Sequence, residues 1–234
     1  MKINSDVPRC KNALVIGVNG GFGLAIDYEL AGQECSGIAT SRNASKLTES
    51  VAEKKNLKVW VEAIPCDLSD KHAVSALVIQ AQQLFPQIDV LINCAGIFPV
   101  GSVAEARLDD FEFCFAVNFR APLQLSKAFL PQMKAKSWGR IVNIGSSSAF
   151  NGFEDAANYR ASKHALLGVS ARYTTKWERR VFGSFRSIRA PFAPRLGRRS
   201  GDKTSRCSSI RWKSRSPLFS RTPLMPSWSA RKSG

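Results

Sequence analysis

The chain has 234 residues, 44% of them hydrophobic, which is room for one domain whose core needs no disulfide staple. Its formal net charge of +16 points toward a polyanionic partner only until the charge is located. Residues 1–170 carry 17 basic and 16 acidic side chains, whereas residues 171–234 carry 17 basic and 2 acidic; the first part is an ordinary near-neutral globular sequence, and a basic nucleic-acid-binding domain is excluded there.

Short apolar runs alternate with helical patterns along the first 170 residues. "ALVIGV" (13–18) reads as a buried strand, followed by a helical stretch from Phe22 to Ala31. "GIATS" (37–41) is a second strand and "KVWVEAIPCD" (58–67) a third. "HAVSALVIQAQQLF" (72–85) is apolar at helical spacing, and "IDVLINCAG" (88–96) is a fourth strand. A helical region covers 108–135, "GRIVNIGSS" (139–147) is a fifth strand, and a helix follows over 156–171. Continuous apolar strands between helices indicate an α/β fold: a doubly wound parallel sheet covered on both faces. Ligands of such sheets bind beyond the carboxyl ends of the strands, so the residues just after each strand are the candidates.

The six cysteines lie far apart with no C-x-x-C pair, as expected of free thiols in a reducing cytoplasm rather than a disulfide frame or zinc site. His72 and His164 have no partner at metal-ligand spacing. "MKINSDVPRCKNALVIG" lacks the apolar run and cleavage site of a signal peptide, and no stretch reaches the roughly 18 apolar residues of a membrane span. The expectation is a soluble cytoplasmic protein without a metal.

After the first strand comes "GVNGGFG", with Gly17, Gly21 and Gly23 spaced G-x-x-x-G-x-G and Phe22 between the last two. Glycines here let the backbone turn tightly and approach a pyrophosphate seated on the next helix N-terminus. A cluster of this kind is also a plain tight turn; its place after the first strand favours the phosphate loop. At the end of the second strand "TSRN" offers Ser41 and Arg42 and no carboxylate. An acidic residue there would bind an NAD ribose, whereas arginine's planar fork suits the 2′-phosphate of NADP. NADP(H) is therefore favoured over NAD(H), the alternative being a solvated surface arginine.

"YRASK" places Tyr159 and Lys163 on one face of one helix. Ser146 lies thirteen residues earlier, and this spacing selects it over its neighbours Ser147 and Ser148. With these residues the chain resembles a short-chain dehydrogenase/reductase over residues 12–170. The family's glycine loop matches Gly17, Gly21 and Gly23, and its Asp after the third strand matches Asp67, which Leu68 follows in "CDLSD". Its N-N-A-G motif matches "NCAG", Asn93 to Gly96, and its helix asparagine matches Asn118 in "AVNFRAP". Two departures are Ile16 in place of the usual Thr and Cys94 in place of the second Asn.

The resemblance implies an NADP(H)-dependent oxidoreductase that interconverts a small carbonyl and a secondary alcohol by hydride transfer. It implies Tyr159 as general acid and base, Ser146 polarising the substrate oxygen, and Lys163 lowering the phenol's pKa and binding the nicotinamide ribose. It implies Asn118 holding a water that relays protons to Lys163, Asp67 and Leu68 at the adenine, and Asn93, Ala95 and Gly96 lining the cofactor cleft. A homo-oligomer is implied where the fold is complete.

The family's later strands and its P-G motif are not visible in residues 171–234, which hold 13 Arg, 4 Lys and 12 Ser but six Val, Ile and Leu together. Such a composition is expected to stay disordered. A change of reading frame near Ser170 would account for the break. With freely chosen codons, "ARYTTKWERR" back-translates so that a neighbouring frame reads ALYNEMGAA, and "SIRAPFAP" reads DPGAFRT. Two alternatives follow: an impaired nucleotide-binding remnant of such an enzyme, or a tail that binds nucleic acid through its basic residues. No recognised nucleic-acid motif supports the latter.

Overall fold

The computed structural model describes residues 12–19, 21–54, 57, 59–104, 106–150 and 155–172, the last two by their backbone. The expectations for 171–234 (disorder, a changed reading frame, polyanion binding) fall outside these residues but for the backbone of Ala171 and Arg172. All described residues lie within one compact unit, Met1–Arg189.

Five strands, β1 (Asn12–Ile16), β2 (Ser36–Thr40), β3 (Val61–Ala63), β4 (Val90–Asn93) and β5 (Arg140–Asn143), form one sheet in the order β3-β2-β1-β4-β5. Every pairing is parallel. Between them run α1 (Gly21–Gly32), α2 (Ala44–Ala52), α3 (Lys71–Leu84), α4 (Leu108–Phe115) and α5 (Ala121–Ala135), and α6 (Ala157–Arg172) follows β5. This is the expected doubly wound α/β architecture.

Side chains that alternate along β1 divide the core into two layers. Leu14 and Ile16 pack with Val74, Leu77 and Ala81 of α3 and Leu125, Phe129 and Met133 of α5. Ala13 and Val15 face the opposite way, toward Leu24 and Leu30 of α1 and Leu47 and Val51 of α2. A sheet buried on both faces explains why its strands read as unbroken apolar runs.

Two differences from the sequence reading have local causes. α2 was not expected, because "ASKLTESVA" offers the core little beyond Leu47 and Val51; Asn43 starts it, its side chain accepting from Lys46 N at 3.0 Å. β3 is three residues long instead of spanning 58–67, since among the described residues it has β2 as its one neighbour and Pro65 brings no N–H to a ladder.

Cys66, Cys94 and Cys114 are free as expected, whereas Cys35 is disulfide-bonded. Wide spacing in sequence sets no limit on pairing in space. Among the described residues no helix is long and apolar enough to cross a membrane, and no cluster of three or more metal-ligating side chains occurs.

Candidate active site

Parallel register sets Thr40, Ile16, Asn93 and Asn143 in one row across β2, β1, β4 and β5. The chain leaves the sheet level at all four positions, so the segments starting at Ser41, Gly17, Cys94 and Ile144 share one edge. Strand order reverses between β1 and β4, which opens a crevice at that edge. The sequence motifs converge there.

The glycine loop is built by close backbone approaches. Gly17 has φ +99°, donates to the Thr40 carbonyl at 2.8 Å, and lies so near the chain after β4 that a side chain would sit 2.7 Å from Ala95 N. Ala95 N in turn donates to Ile16 O at 2.9 Å. A side chain at Gly23 would collide with the Gly17 carbonyl oxygen. Gly21 has φ +55° and begins α1, and among the described residues no atom outside its own helix and chain neighbours lies within 4 Å of where its side chain would project. The twelve-residue α1 has no acid in its first turn, so unopposed N–H groups and the positive end of the helix dipole meet this open face. That donor set fits a dinucleotide pyrophosphate. Phe22 is half-buried beside it.

At the end of β2, Ser41 is buried and its hydroxyl donates to Asn19 Oδ1 at 2.6 Å, while Arg42 is exposed. Asp67 Oδ1 accepts from Ser69 N at 2.9 Å and Ser69 Oγ at 2.8 Å. Those hydrogen bonds, with a smaller contribution from the Arg42 charge, hold its carboxyl below the usual range. Leu68 is buried in the core, so its backbone alone is left for a cofactor.

On the other side of the crevice the chemistry-bearing side chains meet. Ser146 ends the segment after β5; its Oγ accepts from Ser148 N at 3.1 Å, and its hydroxyl lies near enough to the Tyr159 phenol to favour the ionised form. Lys163, 4% exposed, donates to the Ile144 carbonyl at 2.9 Å and lies 5.8 Å from the Tyr159 ring centroid. A side chain on Gly96 would stand 3.6 Å from Lys163 Nζ and 3.3 Å from Asn118 Oδ1. Gly96 thus seats the lysine against the chain after β4.

Electrostatics correct one expectation. Burial pushes the Tyr159 phenol above its ordinary value; the nearby Ser146 hydroxyl lowers it, and Cys114 adds a small upward push. The phenol is raised, where the sequence reading had Lys163 lowering it. The reason lies in the lysine itself: burial brings Lys163 down to about 8, and its hydrogen bond goes to Ile144. Burial likewise holds the Cys94 thiol up at about 11 against the neighbouring Lys163 charge.

Asn118 is held by its side-chain amide. It sits in a π-helical turn, Ala116–Arg120, between α4 and α5. Its Oδ1 accepts from Ile97 N at 2.9 Å, and its Nδ2 donates to Ile97 O at 2.9 Å and Ser162 Oγ at 3.0 Å. The amide is committed to holding the segment after β4, so it positions Gly96 and its neighbours. Asn93 points its amide sideways, donating to Asn143 Oδ1 at 2.8 Å; Asn143 then donates to Ser170 Oγ at 2.9 Å.

That chain ties β4 and β5 to α6, which carries Tyr159 and Lys163. Asn143, Ser162 and Ser170 were missed in the sequence. The signal for Asn143 was present, a lone amide inside the apolar run of β5. Ser162 and Ser170 differ in no way, as sequence, from ordinary helical serines.

The model of the short chain dehydrogenase family matches residues 11–181. The chain belongs to that family. An oxidoreductase of uncharacterised role from Staphylococcus saprophyticus is 34% identical over 162 residues, 68% of this chain and 69% of that protein. The ketoacyl reductase HetN of a Nostoc species is 36% identical over 157 residues, 67% of this chain and 55% of that protein. Among solved structures, a metagenomic short-chain oxidoreductase in complex with NADP superposes with a TM-score of 0.70 at 30% identity, over 74% of this chain and 78% of that one. A short-chain dehydrogenase from Streptomyces avermitilis gives 0.69 at 28% identity, over 79% and 68%. This family of enzymes comprises NAD(P)-dependent oxidoreductases, and the Rossmann crevice above is its nicotinamide-nucleotide fold.

Proposed function

We propose that the chain is an NADP(H)-dependent oxidoreductase interconverting a small carbonyl and its secondary alcohol. The observation that carries the reading is the nearness of the Ser146 hydroxyl to the Tyr159 phenol beside the crevice edge, with Lys163 buried on the same side.

In this reading the cofactor is held by the Gly17–Gly23 loop and the first turn of α1 at its pyrophosphate, and by Asp67, the Leu68 backbone, Ala95 and Gly96 along the cleft. When bound, it supplies or accepts the hydride. Exposed Arg42 at the end of β2, where no carboxylate stands, supports NADP(H) over NAD(H). Tyr159 gives the proton to the carbonyl oxygen, and its raised pKa keeps the phenol neutral, as a donor must be. Ser146 directs a hydrogen bond to the same oxygen. Lys163, fixed by Ile144, supplies the positive charge beside them when protonated. Asn118 positions the floor beneath it.

The composition of 171–234, with 17 basic and 2 acidic residues, supports a second reading: a nucleotide-binding remnant of such an enzyme with an incomplete substrate site. Tyr159→Phe separates the two. Enhanced NADPH fluorescence in both proteins, with ketone turnover in the wild type abolished by the substitution, supports the enzyme. Fluorescence enhancement without turnover in the wild type supports the remnant.

A further inference from the structure

Ser162 stands one residue before Lys163 on α6 and is fully buried. Its hydroxyl is used completely. The hydrogen goes back to the Tyr159 carbonyl at 2.7 Å. The oxygen accepts from Asn118 Nδ2 at 3.0 Å and from the Cys114 thiol at 3.6 Å. One donor and two lone pairs are all that a hydroxyl offers. A buried helical serine commonly satisfies itself on its own helix, as Ser126 does on Pro122 O at 2.6 Å. Ser162 does so at the carbonyl of the phenol-bearing residue, and it also takes one donor from α4 and one from the π-helical turn that follows. Such turns recur at functional sites. Here the turn lets one amide reach two places, since Asn118 holds both backbone groups of Ile97 at 2.9 Å as well. Ile97 directly follows Gly96, on which Lys163 is packed.

We propose that Ser162 is a positioning residue for proton transfer, fixing the Tyr159 backbone against the segment after β4 through Asn118. In its bearing on turnover the proposal rests on Tyr159 acting as the proton donor. Ala95 and Gly96, at the cofactor cleft, lie to one side of the Asn118 amide, and the Tyr159 turn of α6 lies to the other. Ser162 is the link that sets the distance between them. Alanine in its place leaves the second Asn118 N–H with Cys114 Sγ at 3.3 Å, a weak acceptor. The Tyr159 carbonyl loses the hydroxyl at the same time. The turn that carries the phenol is then free to shift against the cleft, and a displacement of about 1 Å lowers a rate by up to about a hundredfold.

The test uses the full chain with NADPH and two ketones, ethyl acetoacetate and cyclohexanone. Ser162→Ala is expected to lower kcat by roughly tenfold or more, while NADPH affinity changes by less than about threefold. Ser162→Thr, which keeps the hydroxyl, is expected to restore kcat. Should Ser162→Ala fail to fold, Ser162→Cys, close in size but a weak donor, is expected to show the same split in part. A second readout needs no turnover. The three tyrosines are labelled as 3-fluorotyrosine, and the Tyr159 resonance is assigned by its loss in Tyr159→Phe. That resonance is expected to broaden or split in Ser162→Ala and to recover in Ser162→Thr. Wild-type turnover with kcat and the resonance both unmoved by Ser162→Ala would overturn the inference and leave the carbonyl chemistry standing. A lower melting temperature alone would overturn it as well, since that marks a merely structural serine. A broadened resonance in a chain that reduces neither ketone supports the positioning and overturns the proposed activity. An unmoved resonance in such a chain overturns both.

Discussion

The Ser146 hydroxyl lies beside the Tyr159 phenol and favours its ionised form, although thirteen residues separate them in the chain. Ser146 Oγ accepts from Ser148 N at 3.1 Å, which leaves its hydrogen for the phenol oxygen or for a substrate. Ser146→Ala removes that donor. It is expected to lower kcat for carbonyl reduction by about a hundredfold, the magnitude typical of losing one preorganised donor. It should also raise the phenol's pKa further, seen by titrating the tyrosine absorbance near 295 nm. An unchanged kcat would show that the serine does not act on the reacting oxygen.

Lys163 gives a stability test with a definite sign. Its pKa is near 8 in the fold and about 10.4 in an unfolded chain. Between those values the unfolded state binds a proton that the folded state does not, so this group's contribution to stability rises with pH. At pH 7 the buried ammonium costs stability. Lys163→Met is therefore expected to melt above the wild type at pH 7, with the gap closing as the pH approaches 10. Calorimetric melting at several pH values checks it; a gap independent of pH contradicts the assignment.

A second buried cation behaves in the opposite way, because it is paired. Lys54, 1% exposed, lies 2.7 Å from Asp27 Oδ2 and donates to Ser50 O at 2.8 Å. The pair fastens α1 to the end of α2. Burial already raises the Asp27 carboxyl, against the lowering effect of Lys54. Lys54→Met removes that compensation and is expected to destabilise the fold by about 3 kcal/mol at neutral pH. The loss should shrink in acid, where Asp27 takes up a proton and no longer needs the cation. Urea unfolding at pH 7 and pH 5 measures both.

These two lysines have partners that spacing along the chain does not reveal. The central strands β1, β2 and β4 were legible because they are buried on both faces and so spell a nearly continuous apolar word. The glycine loop and the Tyr159–Lys163 pair were legible because their spacing is fixed by local backbone geometry. Lys54 was not, since its partners come from a helix that the pattern missed and from Asp27, in another helix. The hydrogen bond of Lys163 to Ile144 joins positions nineteen residues apart, and no spacing rule predicts it. The raised phenol followed from burial, a property of the folded crevice rather than of the motif. Asn118 was recognised as a position, but its two-handed grip on Ile97 depends on a π-helical turn that propensity does not reveal.

Glycines separate packing from cofactor binding. Gly168 lies in α6 and, among the described residues, no atom outside its own helix backbone and chain neighbours stands within 4 Å of a would-be side chain, so Gly168→Ala is expected to stabilise the helix by about 0.8–1 kcal/mol. A side chain at Gly37 in β2 would strike the Ala13 carbonyl of β1. Gly37→Ala should therefore lower the melting temperature, whereas Gly168→Ala should raise it. Scanning calorimetry of the two variants reads the difference.

At the end of β2, Arg42→Glu is expected to weaken NADPH binding at least tenfold and leave NADH binding unchanged or tighter, since a carboxylate repels a 2′-phosphate and accepts from ribose hydroxyls. Fluorescence titration with the two nucleotides checks it, and equal effects on both would place Arg42 away from the ribose.

The central claim is that Tyr159 exchanges the proton of a carbonyl–alcohol conversion in this crevice. It is tested most directly with NADPH carrying deuterium at the nicotinamide C4, incubated with a ketone and either the wild type or Tyr159→Phe, with nucleotide binding confirmed by fluorescence in both. The account predicts deuterium on the carbinol carbon with the wild type, and none above background with the variant. Equal labelling by a variant that lacks the phenol would contradict it.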